Sequence, residues 1–146
     1  MAHGDPLALA KGVLLRLITR AYQARADVAL VCFAGTRAEV RLAPSRARLW
    51  NDDWIRPIGG GGGTPLTLGM ARADQLLARQ ARQRPAQHRW VWLLTDGRST
   101  EAPARPAWAD QIVIVDVERH AVPLGRCRQL AQAWDADYCT PEGLAG

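Results

Sequence analysis

From Leu7 to Tyr22 the apolar residues fall at Leu7, Ala10, Val13, Leu14, Leu17, Ile18 and Ala21. That is the i, i+3, i+4 spacing of an amphipathic helix. Asp5-Pro6 precedes it, a good cap followed by proline at the first helical position. Val28 to Phe33 is apolar without alternation, which predicts a strand buried on both faces, as in a covered parallel sheet. After the turn Ala34-Gly35-Thr36, Ala38, Val40 and Leu42 alternate with Glu39 and Arg41, the pattern of an edge strand with one wetter face. Arg46 to Trp54 allows a short helix stopped by Pro57. Gly59 to Gly63 then lead through Thr64-Pro65 into a second amphipathic helix carrying Leu66, Met70, Ala73, Leu76, Leu77 and Ala81, ended by Arg84-Pro85.

Trp90 to Leu94 is a second uniformly apolar run, followed by Thr95-Asp96-Gly97-Arg98. A third, Ile112 to Val115, leads into Asp116. A helix from about Leu124 to Trp134 and a short strand, Asp137 to Thr140, close the chain. No repeat or linker divides it, so residues 1–146 read as one domain. Apolar strands alternating with amphipathic helices predict an α/β sheet with helices on both faces. Ligands of such sheets bind at the carboxyl ends of the strands. The candidate loops there are the one after Phe33, Gly59 to Thr64, Asp96 to Ser99, and Asp116 to Glu118.

Composition narrows the classes. Hydrophobic residues make up 48% and charged ones 23%, which excludes disordered and collagen-like chains. No apolar run reaches the ~18–20 residues of a membrane helix, and no basic segment followed by an apolar stretch opens the chain. The expectation is a cytoplasmic protein without a membrane partner. The net charge is +5, with Lys11 the sole lysine. The arginines scatter from Arg16 to Arg128 without interleaved aromatics, so no specific nucleic-acid partner is expected. The three cysteines, Cys32, Cys127 and Cys139, form no Cys-x-x-Cys pair, and His3, His88 and His120 have no metal-ligand spacing. Cys32 reads as a small buried hydrophobe.

The glycine run is not a Walker loop, because Gly63 is followed by Thr64 rather than by Lys-Ser/Thr. Two residues suggest other chemistry. Thr64 opens a helix and Asp96 ends a strand, both on the ligand-binding edge, and a hydroxyl plus a carboxylate suit Mg²⁺ as partial ligands. The simpler reading is that Thr64 caps its helix and Asp96-Gly97 makes a turn. An alternative class is a small α/β hydrolase or phosphotransfer enzyme using Ser99. It has no Gly-x-Ser-x-Gly elbow, and only His120 falls in a suitable loop.

Gly61-Gly62-Gly63-Thr64-Pro65-Leu66, followed by a helix and then Leu93-Leu94-Thr95-Asp96-Gly97-Arg98, resembles the von Willebrand factor A (VWA) domain. The resemblance is strongest to the domain of the magnesium-chelatase D subunit and its cobalt-chelatase-like relatives. Ala10-Lys11-Gly12-Val13-Leu14, Asp27 to Phe33, Asp116-Val117-Glu118-Arg119 and Leu124-Gly125 extend it from about Leu7 to Leu144.

The resemblance implies a Rossmann-like sheet with a metal-ion-dependent adhesion site. That site is built from an Asp-x-Ser-x-Ser motif after the first strand, a Thr in a Gly-rich loop and an Asp after a later strand. Thr64 matches the second element and Asp96 the third, with Gly61, Gly62 and Gly63 letting the loop approach the ion. The first element has no match, and Met1 to Pro6 contains no Ser. The first strand of the family is central, between the counterparts of Val28–Phe33 and Trp90–Leu94, so the expectation is an N-terminally truncated domain with weak Mg²⁺ binding. The implied role is a non-catalytic interaction module of a tetrapyrrole metal-insertion complex, partnered by an AAA+ ATPase and other chelatase subunits.

Overall fold

A computed structural model of the chain describes residues 6–48, 50–56, 63–118 and 124–144. Helix α1 (Pro6–Gln23) leads by a tight turn into the hairpin of β1 (Asp27–Ala34) and β2 (Arg37–Arg46). Helix α2 (Leu66–Gln83), β3 (Trp90–Thr95), β4 (Gln111–Asp116), α3 (Arg126–Trp134), β5 (Asp137–Cys139) and α4 (Pro141–Leu144) follow. The short helix allowed at Arg46–Trp54 is not formed. β2 instead runs on through Arg46, and only Asp52–Ile55 makes a 3₁₀ turn, whose cap is the Asn51 side chain accepting from the Asp53 N–H at 2.9 Å. The cap expected at Asp5 lies outside the described residues.

The strands form two sheets. β1 and β2 pair antiparallel, while β3, β4 and β5 pair parallel in the order β3-β4-β5. Among the described residues β1 pairs with β2 alone and β3 with β4 alone, so each keeps one unpaired edge. β4 has a strand on either side, and Ile112, Val113, Ile114 and Val115 are all buried. β1 is different. Its apolar run predicts burial on both faces, yet none of its residues is buried: Ala29 is exposed and the others are half-buried. The physical reason is that β2 is its one strand neighbour among the described residues, so its other edge is not enclosed. Cys32 is likewise half-buried, its thiol donating to the Trp54 carbonyl at 3.4 Å.

Side chains alternate across the parallel sheet with the two-residue period of a strand. Trp92, Leu94, Val113 and Val115 face α1, where Leu9, Val13 and Leu17 pack with them. Val91, Leu93, Ile112 and Ile114 face the other side, against Leu66 and Met70 of α2 and Cys127, Ala131 and Trp134 of α3. Helices therefore cover both faces, as the pattern predicts. Both long helices also reach the hairpin: Ile18 of α1 packs with Leu42 and Trp54, and Phe33 of β1 packs into the α2 cluster.

Polar contacts finish the frame. Asp27 pairs with Arg84 beyond α2 at 2.9 Å and with Arg46 at 3.5 Å. Arg16 and Arg20 of α1 donate to the carbonyls of Pro141 and Leu144 at 3.3 and 3.2 Å, fastening α4 to α1. β2 lies at the edge as predicted, but Arg41 is turned inward. Only 6% of its side chain is exposed, and it bonds Glu39 and the carbonyls of Asp53 and Trp54.

Gly69 marks the closest approach of α2 to β1. A Cβ built there meets Phe33 Cδ1 at 2.5 Å. Alanine gains about 1 kcal/mol of helix propensity over glycine, but overpacking costs about 1–3 kcal/mol. Gly69→Ala is expected to lower stability in urea unfolding, and Phe33→Leu in the same chain to recover most of the loss. A Gly69→Ala protein more stable than the parent would show that this contact yields freely.

Candidate functional site

Backbone contacts at the strand ends tie the four candidate loops together in two pairs. Thr95 and Asp116 are register partners, and the Val117 N–H donates to the Thr95 carbonyl at 3.0 Å, so the loops after β3 and β4 are neighbours. The Gly35 N–H donates to the Gly63 carbonyl at 3.0 Å, joining the loop after β1 to the end of the glycine run. Gly63 has φ +117°, and a Cβ there would stand 3.3 Å from the Gly35 carbonyl oxygen, so the run must end in glycine. Gly61, Gly62 and His120 lie outside the described residues.

Thr64 is half-buried, and its carbonyl accepts from the Leu66 N–H at 2.9 Å. Pro65 is the cap residue of α2, and no side chain of the cap bonds the helix. Proline has no side-chain acceptor, so the cap residue itself leaves the first turn unsatisfied. Glu101 does that work from 34 residues away, its Oε1 accepting from the Thr67 N–H at 2.8 Å. Asp96 does make the turn that Asp96-Gly97 suggests. Its Oδ1 accepts from the Arg98 N–H at 3.1 Å, Gly97 takes φ +75°, and the Gly97 N–H donates to Thr95 Oγ1 at 3.2 Å. Asp96 Oδ2 also pairs with Arg98 Nε at 3.1 Å.

Arg126, at the start of α3, reaches back to this loop. Its Nη1 donates to the carbonyls of Gly97, Arg98 and Ser99 at 3.5, 3.0 and 3.3 Å. A cation at a helix N-terminus works against the helix dipole, so its presence there is the one sequence signal that it has another partner. On the far side, Asp116 Oδ1 accepts from the Glu118 N–H at 2.9 Å and Oδ2 from the Tyr138 hydroxyl at 2.6 Å. Arg128 sits 4.3 Å over the Tyr138 ring. Buried Glu118 accepts from the Leu124 N–H at 2.7 Å. Tyr138, Glu101 and Arg126 escape sequence reasoning, because their partners lie 22 to 34 residues distant.

Two titrating groups respond to these carboxylates. Burial first, and then Asp116, Glu118 and Asp96 nearby, push the Cys127 thiol well above its ordinary range. It stays protonated and donates to the Thr95 carbonyl at 3.6 Å, which makes it a packing group rather than a nucleophile. Burial and the bond to Asp116 push the Tyr138 hydroxyl up to about 12.

The ion expected of the family is a test of the donor set. Mg²⁺ takes six oxygen ligands. Thr64 and Asp96 supply two side chains, and both oxygens of the Asp96 carboxylate already accept from Arg98. Among the described residues no group of three or more His, Cys, Asp and Glu is placed to hold a metal. These residues do not by themselves fit a resident ion. Of the hydrolase alternative, Ser99 is described and His120 is not. Ser99 Oγ accepts from the Glu101 N–H in a turn, and His88 lies before β3, at the opposite end of that strand, on Gln111 at 2.8 Å. No helix of the described residues is long and apolar enough to cross a membrane.

With this edge laid out, comparison with known proteins shows homology to magnesium-chelatase subunits. The chain is 45% identical over 96 residues to the magnesium-chelatase 60 kDa subunit of Rhodobacter capsulatus, covering 66% of this chain and 17% of that protein. It is 40% identical over 152 residues to the 60 kDa subunit of Cereibacter sphaeroides, covering 90% and 26%. An uncharacterized protein of Mycobacterium tuberculosis, Rv2850c, is 34% identical over 155 residues, covering 99% and 25%. The chain thus spans about a quarter or less of the length of these curated relatives. No family model and no solved structure matches it.

The Tyr138 shift has a sign. A hydroxyl protonated up to about 12 in the folded chain, against 10.0 as a free group, leaves the unfolded chain with fewer bound protons between those values. Stability from this group is therefore complete below pH ~10 and is lost as pH rises toward 12. Urea unfolding across that window should fall less steeply with pH in Tyr138→Phe than in the parent. Parallel slopes would show that the Tyr138 hydroxyl is not raised in the folded chain.

Proposed function

We propose that the chain is a VWA-type protein-interaction module of a magnesium- or cobalt-chelatase-like complex that inserts metal into a tetrapyrrole. In this reading it is non-catalytic, acts in the cytoplasm, and meets an AAA+ ATPase and other chelatase subunits through the edge that carries Thr64 and Asp96. The observation that carries the reading is the likeness to chelatase subunits over as much as 90% of the chain. The split sheet supports its finer part. β1 and β3, each with one unpaired edge among the described residues, both pack side chains against α1 and α2. Unpaired edges leave N–H and C=O groups without ladder partners, and a central strand between them would pair both at once.

The adhesion site is then a partial one. Thr64 and Asp96 are the ligands retained, with Gly61, Gly62 and Gly63 forming the supporting loop, and the chain alone binds Mg²⁺ weakly. A strand ending in Asp-x-Ser-x-Ser would bring the missing oxygen ligands, and an ion that binds only the folded state adds stability by mass action.

The experiment compares the chain with one extended at its N-terminus by an apolar strand ending in Asp-x-Ser-x-Ser. Hydrogen exchange should find β1 and β3 amides poorly protected in the chain as it stands and protected in the extended one. Mg²⁺ should raise the melting temperature of the extended chain only, and Asp96→Ala should abolish that rise. Sedimentation with the AAA+ subunit of a chelatase should show a complex with the extended chain. If β1 and β3 are already as protected as β4, or if neither chain meets the ATPase, the reading is wrong.

A further inference from the structure

Asp96 is spanned by a single residue two positions on. The Arg98 backbone N–H takes Oδ1 and its Nε takes Oδ2, each at 3.1 Å. Although 62% of the Arg98 side chain is exposed, it is not a side chain on a loose loop. Three anchors fix its backbone. Gly97 holds the turn with its N–H on Thr95 Oγ1, Arg126 grips the carbonyls of residues 97–99, and Glu101 ties the far end to the first turn of α2. These anchors come from β3, α3 and α2, so the frame of the domain itself presents Arg98 to Asp96.

We infer that Arg98 is the resident cation of this edge, an autoinhibitory contact that neutralises Asp96 and keeps divalent ions away from it. The inference rests on reading Thr64 and Asp96 as a partial ion site. An ion on an Asp96 oxygen would sit on the order of 5 Å from the guanidinium. At that distance a double and a single positive charge repel enough to weaken binding roughly tenfold even at the dielectric constant of water. The backbone bond from Arg98 persists whatever its side chain does, so the side-chain charge is the separable part of the device.

The test uses the full chain labelled with ¹⁵N and titrated with Mn²⁺ alone, whose unpaired electrons broaden nearby amide signals. Three forms are compared: the parent, Arg98→Gln and Arg98→Lys. The amides of Asp96, Gly97 and Arg98 should broaden in Arg98→Gln at roughly tenfold lower Mn²⁺ than in the parent. Arg98→Lys, which keeps the charge, should behave as the parent does. Asp96→Asn added to Arg98→Gln should remove the localised broadening, and each spectrum reports whether its variant is folded. Broadening at the same Mn²⁺ concentration in parent and Arg98→Gln, or in neither, would overturn the inference. No partner is present in this titration, so a failure to meet the ATPase would end the proposed function and leave the Mn²⁺ result standing.

Discussion

Two sheets that share no hydrogen bond among the described residues are joined by the side chains of the helices lying across them. Val13 of α1, 1% exposed, sits on Val113 and Val115 of the parallel sheet, and five residues later Ile18 sits on Leu42 of the hairpin. On the other face Phe33 of β1 enters the cluster of Leu66, Met70, Val91 and Leu93. Burying each such side chain is worth ~1.5–3 kcal/mol, so a handful of them takes the place of a continuous ladder. The cost shows in β1, which has the composition of an interior strand and the exposure of an outer one.

The candidate site inherits its geometry from the half of the molecule where the ladder is intact. Parallel pairing of β3 and β4 in register sets Thr95 against Asp116, and the loops leaving those residues are fixed at their roots. Glu101 then fastens the Asp96 loop to α2 and Arg126 fastens it to α3. By contrast, the glycine-run side meets the rest of the edge through the Gly35–Gly63 bond, on the hairpin. Thr64 thus lies beside the hairpin and Asp96 on the parallel sheet, two sheets with no shared ladder among the described residues, and any ligand needing both depends on how they are held together.

Local periodicity made the helices and the strands legible, because apolar spacing in α1, α2, β3 and β4 is a property of short windows. The failures are all long-range. Whether Val28–Phe33 is enclosed depends on a neighbour that no short window contains. Thr64 carries the right side chain to cap α2, yet the bond comes from Glu101. Arg41 alternates with apolar residues as a solvent-facing position would, but the 3₁₀ turn folds over it and offers it the carbonyls of Asp53 and Trp54. At the site, Asp96 and its turn were readable from Asp96-Gly97. The reach of Arg126 across 28 residues to the Arg98 carbonyl was not.

The strands themselves distinguish true edges from the two that border the split. β2 carries Arg37, Glu39, Arg41 and Arg46, with Pro44 near its end. Charges and proline are how natural sheets keep an outer strand from pairing with another chain. β1, Asp-Val-Ala-Leu-Val-Cys-Phe-Ala, carries one charge at its first residue, and β3, Trp-Val-Trp-Leu-Leu-Thr, carries none. Neither has a proline. A strand left open with that composition is a template for aggregation. The contrast between β2 and its neighbour β1 is therefore informative independently of any hydrogen-bond count. β2 carries the charges and proline of an outer strand, whereas β1 and β3 carry the apolar composition of interior ones.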